Sequence, residues 1–398
     1  MAGALDGIRV IDLTTVVMGP YATQILGDFG ADVVKVEPLE GDVMRSAWPQ
    51  RNPGMGHVFL NVNRNKRSLA LDLKQPAAHA ALLALLRTAD VLVYNIRPAA
   101  MTRLKLGYEA LHALNPRLLY VGGFGYSQRG PYAARPAYDD LIQGAIGVPW
   151  LHKAAGNAGP RYAPLILADR TTGLQICNAV CAALYARERT GRGQRIDVPM
   201  FEGLLQTVLG EHLGGLTYDP PAGPPGYVRL LAKDRRPYET ADSHVCALIY
   251  NDKQWAGFLR MIGREDLLQD ARYATHAGRA QNYDTAYAFV ADEMKKRTTD
   301  AWIEALEAVD IPVQRMNSIE DIVADPHLAA TGYFEMIDHP SEGRIRSMRV
   351  PSEWSETAPG YRRHAPRLGE HTRELLGEAG LDAAAIEALI DAGAAKAA

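Results

Sequence analysis

An α/β architecture with a mostly parallel sheet is the fold class this sequence predicts. Three observations predict it. Short runs rich in Val, Ile and Leu alternate with stretches of helical apolar spacing from Ile8 to Val198. Glycine or Gly-Pro pairs mark the joints between them. Of 398 residues, 47% are hydrophobic and 22% charged, a globular profile rather than a disordered or fibrous one.

Residues 8–13 read as the first strand. Gly19-Pro20 then opens a helix with Ala22, Ile25, Leu26 and Phe29 on its apolar side, and Gly30 closes it. The β-branched run 31–36 is the second strand and completes a βαβ unit. The pattern repeats with a strand at 68–73, a helix at 76–86 started by Pro76, and a strand at 91–95. A helix ends at 111–114, and residues 118–123 form the next strand. The clearest helix is 169–186, with Gly173, Leu174, Cys177, Val180, Cys181, Leu184 and Tyr185 on one face. Thr190-Gly-Arg-Gly-Gln194 ends it, and a strand at 195–198 follows.

Four prolines in the eight residues 219–226 exclude helix and central strand, so this segment reads as a linker. Beyond it the texture changes. A hairpin at 238–249 and helices at 255–262, 286–296 and 301–308 predict a smaller α+β domain over 227–325. The division expected is therefore 1–218, the linker 219–226, the small domain 227–325, and 326–398. The last segment carries strand-like pieces and an amphipathic helix at 383–392 stopped by Gly393.

Lys and Arg number 43 against 46 Asp and Glu, a formal charge of −3 that argues against a nucleic-acid partner. Of the three cysteines, Cys177, Cys181 and Cys246, the first two lie four apart in an apolar helix without partners at metal-ligand spacing and read as packed thiols, and a reducing compartment fits. Neither a leader pattern at the N-terminus nor a membrane-length apolar run is read, so the expectation is a cytoplasmic protein without a membrane partner.

Four features carry possible chemistry, each with a plainer reading beside it. Gly19-Pro20 can present amides to a phosphate or simply start a helix. Gly122-Gly-Phe-Gly125 is a nucleotide loop or a tight turn. The cations Arg64, Lys66, Arg67, Lys74, Arg97, Arg103 and Lys105 are a solvated face or the rim of a site for an anionic ligand such as coenzyme A. Asp169 is the N-cap of the strongest helix, or a carboxylate kept ionised by that helix's N-terminus and able to attack an activated acyl group. Neither a Gly-x-Ser-x-Gly elbow nor a Walker lysine is found, and Glu211-His212 and His371-Thr-Arg-Glu374 fall short of a metal site.

At this point the residues resemble the family III CoA-transferases, also called the CaiB/BaiF family. The resemblance runs through Leu5-Asp-Gly-Ile-Arg-Val-Ile-Asp-Leu13, Gly19-Pro20 and Leu26-Gly-Asp-Phe-Gly-Ala-Asp-Val-Val-Lys-Val-Glu37. It continues through Asn65 to Lys74, Ala89 to Pro98, Gly122 to Tyr132, and Tyr138-Asp139 with Gln143 and Gly147. Asp169 with Gly173, Thr190 to Asp197, Asp325-Pro-His-Leu328 and Ala365 to His371 complete it. Single pieces say little; their order over most of the chain is specific.

The resemblance implies an acyl-CoA:carboxylate CoA-transferase in which Asp169 is the catalytic carboxylate and forms an aspartyl mixed anhydride and then an aspartyl-CoA thioester. It implies Val17, Met18, Tyr138 and Asp139 as active-site neighbours, and Val16, Leu71, Lys74, Asn95, Ile96, Arg97 and Arg103 as CoA contacts. It implies coenzyme A as substrate with no tightly bound cofactor or metal. A large Rossmann-like domain built from both chain ends and an interlocked homodimer are expected on the same ground. Val17 and Pro38 replace a glutamine and an arginine of some relatives, and a Gly-rich lid loop is missing, so formyl-CoA:oxalate exchange is not favoured. The acceptor expected is a small or dicarboxylic acid, with Arg45, Arg97 and Arg135 as spare cations and a succinyl-CoA-like donor. An α-methylacyl-CoA racemase of the same fold is the alternative. Racemases place a His where Tyr138 stands, and a phenol with a reference pKa of about 10 is a poor base at neutral pH.

Overall fold

A computed structural model describes residues 3–398; residues 1 and 2, where the reading for a leader begins, lie outside the described residues. Seven strands form one sheet: β1 (Arg9–Leu13), β2 (Asp32–Glu37), β3 (Lys66–Leu71), β4 (Val91–Tyr94), β5 (Leu119–Phe124), β6 (Arg195–Pro199) and β12 (Ala395–Lys396). Their order is β12-β3-β2-β1-β4-β5-β6, with β1 to β6 parallel and only β12 antiparallel, against β3. This is the doubly wound order in which the chain leaves β1 in one direction and, after β3, continues on its other side from β4.

Alternate strand residues face two different layers. Ile11, Val34, Leu69, Leu92 and Tyr120 pack with the helices Pro76–Leu86, Tyr108–Leu114, Thr372–Glu378 and Ala383–Asp391 in one buried cluster. The other face carries the helices Met18–Asp28 and Leu167–Thr190, which cross closely. Gly173 permits the crossing, since a Cβ there would stand 2.8 Å from the Met18 carbonyl oxygen.

The strand expected at 68–73 lies two residues earlier, because Lys66 and Arg67 are strand residues and not a polar boundary. The reading of this stretch as a solvated face is overturned as well. Lys66 Nζ is fully buried and donates to Asp12 Oδ2 at 3.0 Å, Pro20 O at 2.8 Å and Asn63 Oδ1 at 2.9 Å. Arg67 pairs with Asp32, Glu374 and Glu378, and Arg64 with Asp28. Lys35 Nζ, equally buried, donates to Asp42 Oδ2 at 3.0 Å and to Thr14 O at 2.9 Å. These charges are tolerated inside because each has an opposite charge and further hydrogen bonds. Asp12, with both lysines nearby, titrates at about 2 despite its burial, and burial brings Lys66 down to about 8.

The chain divides into two compact units. The larger contains both chain ends: residues 3–146, 164–206 and 327–398. The smaller comprises 147–163 and 207–326. Residues 147–163 and 207–218 thus differ from the division expected from sequence. The reason is local for the second of these. The proline segment folds back on the end of the helix Met200–His212, with Gly226 N donating to His212 O at 2.9 Å and Ala222 N to Gly215 O at 3.0 Å, so it is a turn inside the smaller unit. That unit holds a three-stranded sheet of β7 (Tyr238–Glu239), β8 (His244–Ala247) and β9 (Val313–Arg315). Its core gathers Trp255, Phe258, Val290, Met294 and Trp302. Both indole N–H groups are satisfied, Trp255 by Ile249 O and Trp302 by Met294 O. A hairpin of β10 (Phe334–His339) and β11 (Gly343–Met348) belongs to the larger unit. Among the described residues, no helix is long and apolar enough to cross a membrane.

Candidate active site

In a doubly wound sheet, loops on either side of the order reversal diverge and leave a crevice at the carboxyl ends of the strands. Here that crevice is a cavity of about 260 Å³ with Thr15, Val16 and Met18 after β1, Asn95 and Arg97 after β4, Gly123 to Gly125 at the end of β5, and Asp169 in its walls.

The loop after β1 is held from three sides. Asn95 Oδ1 accepts from Thr15 N at 3.1 Å and Asn95 Nδ2 donates to Thr15 O at 2.9 Å. Asp42 Oδ1 accepts from Val16 N at 3.2 Å, and Asp12 accepts from Thr14 N at 2.9 Å. Val16 has φ +73°, a left-handed conformation that a β-branched residue adopts at a cost of about 1–3 kcal/mol. The strained turn buries Val17, starts the Met18–Asp28 helix at once, and turns the Met18 amide toward the Asp169 carboxylate.

Asp169 is not the N-cap that the plainer reading makes it. The helix begins at Leu167 with Ile166 as N-cap, so Asp169 sits third in the first turn. The cap comes from outside: Asp139 Oδ2 accepts from Ala168 N at 2.7 Å and from Asp169 N at 3.1 Å, while Asp139 Oδ1 accepts from Gln143 Nε2 at 2.6 Å. Nor does the setting hold Asp169 below the usual carboxylate range, as a helix N-terminus alone implies. Burial first, and then the charge of Asp139, push it up to about 6 against the Met18 amide and Arg170. It is therefore mostly ionised at neutral pH and poorly solvated, the state of a carboxylate able to attack an acyl carbonyl.

The cavity brings together seven of the side chains singled out from sequence, Val16, Met18, Asn95, Arg97, Arg135, Tyr138 and Asp169, with Gly123 and Gly125 of the glycine turn. Asp139 joins them through the Asp169 backbone. Val17 lies behind the wall with no exposed surface. Leu71 is a core residue of β3, 1% exposed, and offers a ligand no side-chain surface. Ile96 packs against the same core, while Lys74 and Arg103 are exposed outside the cavity wall. Arg45 is no spare cation. It is buried, donates to both Glu37 oxygens at 2.8 and 2.7 Å, and lies over the Phe59 ring at 3.8 Å. Thr15, Gln128, Pro136, Ala137 and Met200 line the cavity without having been singled out. The signal available for Thr15 was its place just after a parallel strand.

A carboxylate pushed upward by burial thus lies in the switch-point crevice of an open α/β sheet, in one cavity with the cations Arg97 and Arg135. Sequence and structure comparisons make this specific. Residues 5–372 match CoA-transferase family III. The succinate–glutarate CoA-transferase of Agrobacterium fabrum is 34% identical over 94% of this chain and 95% of its own. The succinyl-CoA:mesaconate CoA-transferase of Haloarcula marismortui is 33% identical over 96% and 97%. A CAIB/BAIF family protein from Brucella suis is similar in structure, with TM-score 0.80 and 29% identity over 95% of this chain and all of its own. The chain belongs to CoA-transferase family III and is an acyl-CoA:carboxylate CoA-transferase.

Proposed function

We propose that Asp169 is the nucleophile of this transfer, and that the exchange runs between a succinyl-CoA-like donor and a small or dicarboxylic acid. The observation that carries the reading is the buried Asp169 carboxylate, pushed up to about 6 and hydrogen-bonded by the Met18 amide in the cavity wall. The relatives named for succinate, glutarate and mesaconate support the substrate class.

An Asp169 oxygen attacks the donor thioester carbonyl, the C–S bond breaks, and CoA leaves as thiolate, giving a mixed anhydride. The thiolate attacks the Asp169 carbonyl carbon, and the donor acid departs with the bridging oxygen. The acceptor carboxylate then attacks the aspartyl-CoA thioester, releases thiolate and forms a second anhydride. Thiolate attack on the acceptor carbonyl yields the new acyl-CoA and restores the Asp169 carboxylate with one oxygen from the acceptor. Thioester and anhydride are comparably activated, so no proton, redox partner or nucleotide is consumed. The Met18 amide, which donates to the Asp169 carboxylate, can stabilise charge that develops on the Asp169 carbonyl when thiolate or acceptor attacks it. Asp139 positions the first turn of the Asp169 helix, and Tyr138 walls the acyl side.

In the same reading the larger unit binds CoA. The Val16 loop holds the thioester end, the main chain at Leu71, Asn95 and Ile96 receives the adenosine, and Lys74, Arg97 and Arg103 meet the phosphates. An interlocked homodimer and a cytoplasmic location, consistent with three free cysteines, complete it. Native mass spectrometry tests the dimer.

The chemistry is tested by incubating the protein with succinyl-CoA and hydroxylamine, followed by peptide mass spectrometry. A hydroxamate on Asp169 is expected. Continued CoA exchange with Asp169 unmodified overturns the assignment.

A further inference from the structure

We propose that Arg135 selects dicarboxylic acyl groups, its guanidinium pairing with the far carboxylate while the near carboxyl exchanges CoA on Asp169. The inference rests on the reading of Asp169 as nucleophile and deepens it.

Arg135 shares the cavity wall with Asp169 and Tyr138. Its guanidinium carbon lies over the Tyr132 ring, 3.7 Å from the ring centre. A cation–ring contact uses none of the guanidinium N–H groups as hydrogen-bond donors, so the fork that suits a carboxylate stays available. Tyr132 is itself braced edge-on by Tyr126 at 5.5 Å, and Tyr126 by Phe201 at 5.6 Å, so the cation stands on a fixed aromatic ledge. Among the described residues, Arg135 forms no ion pair. Asp139, four residues on, is committed to the amides of Ala168 and Asp169 and to Gln143. A bidentate cation left without a counter-ion in a reaction cavity is a site for an anion on the ligand.

Position distinguishes Arg135 from the other unpaired cation of the cavity, Arg97. Arg97 opens the helix Pro98–Arg103, whose end is tied to the Pro76–Leu86 helix by the His79 ring and the Leu104 carbonyl at 2.7 Å. It therefore belongs to the layer that carries Lys74 and Arg103. Asp169 belongs to the opposite layer, since its helix crosses Met18–Asp28 and Ile176 approaches Gly123 from that side. Arg135 lies in the segment between β5 and Asp139, the residue that caps the Asp169 helix. A CoA ester running over the sheet edge from one layer to the other puts its phosphates on the Arg97 side and its acyl end on the Arg135 side. Donor acyl group and acceptor acid both react at Asp169, so they occupy this end in turn. An apolar acyl chain there forgoes the pair with the guanidinium, so the site favours the acid that carries a far carboxylate.

The test compares glutarate with pentanoate as acceptors, with succinyl-CoA as donor, in wild type, Arg135→Gln, Arg135→Lys and Arg97→Gln. In a ping-pong scheme kcat/KM for the acceptor reports only the second half-reaction, so effects on the donor cancel. Wild type is expected to prefer glutarate. In Arg135→Gln that preference falls about tenfold or more, mainly through KM, with pentanoate little changed. Arg135→Lys recovers part of it, and Arg97→Gln leaves it intact while raising KM for the CoA ester. Arg135 is exposed, so folding is not at stake. An unchanged preference in Arg135→Gln, or an equal change in Arg97→Gln, overturns the proposal. So does a wild type without preference whose Asp169 is trapped by hydroxylamine, and in that case the nucleophile assignment survives. Failure of the hydroxylamine experiment removes the nucleophile assignment instead.

Discussion

Replacing Asp169 by asparagine is expected to abolish transfer and to stabilise the protein, and the size of the second effect follows from the site. The carboxyl titrates at about 6 when folded against 3.8 as the ordinary value. Because the folded value is the higher one, the ionised form is disfavoured by folding. The penalty is absent well below pH 4, grows as pH rises toward 6, and is constant above it. It amounts to about 3 kcal/mol at pH 7.5 and about 1 kcal/mol at pH 4.5. Asparagine keeps the size of the side chain and an acceptor for the Met18 amide but carries no charge. Urea denaturation of wild type and Asp169→Asn at the two pH values, with equal slopes, measures the difference. An advantage for the variant that shrinks by about 2 kcal/mol on acidification is the expected result. A variant no more stable than wild type at pH 7.5, or an advantage independent of pH, would refute the account of a desolvated, crowded carboxylate.

Four further outcomes follow from the same geometry. The first half-reaction, measured as CoA release in a single turnover, should fall tenfold per pH unit below about 6, as the Asp169 nucleophile is protonated. Asp139→Asn removes the neighbouring negative charge while keeping a capping oxygen, so the acid limb of that profile should move to lower pH, with stability changed by less than about 1 kcal/mol. Asp12→Ala strands the buried Lys66 ammonium and should cost about 3–5 kcal/mol, read from the denaturation midpoint. Gly173→Ala places a Cβ 2.8 Å from the Met18 oxygen, so the two helices must separate; a loss of about 1–3 kcal/mol together with reduced kcat is expected, and wild-type crystallographic spacing in an active variant would count against it.

The elements were legible where local rules suffice. Period-two and period-3.6 patterns located six of the seven strands of the sheet, and Pro76, Gly30 and Gly393 marked helix boundaries, because a start or stop is set by one residue's own backbone preference. The family was legible too, since its signature is an order of short motifs along the chain. The two-residue strand β12 was not, for its pairing to β3 spans more than 320 residues and leaves no pattern of its own. The segment 147–163 followed the smaller unit for the same kind of reason, membership being decided by contacts distant in sequence.

For the site, the sequence by itself determined which residue types the chemistry needs: an aspartate at a helix start, a cationic rim, and loops after parallel strands. Only the tertiary structure decided their state. Arg45, Arg64, Lys66 and Arg67 became internal ion-pair partners, while Arg97 and Arg135 have no ion pair among the described residues, since what a charge does depends on which opposite charge the fold brings within reach. Asp169 changed from an expected N-cap, held ionised, to a buried carboxyl pushed upward, because burial and Asp139, thirty residues away in sequence, outweigh the helix end. A helix dipole can be read from one segment of sequence; desolvation and a neighbouring charge exist only once the chain has folded around them.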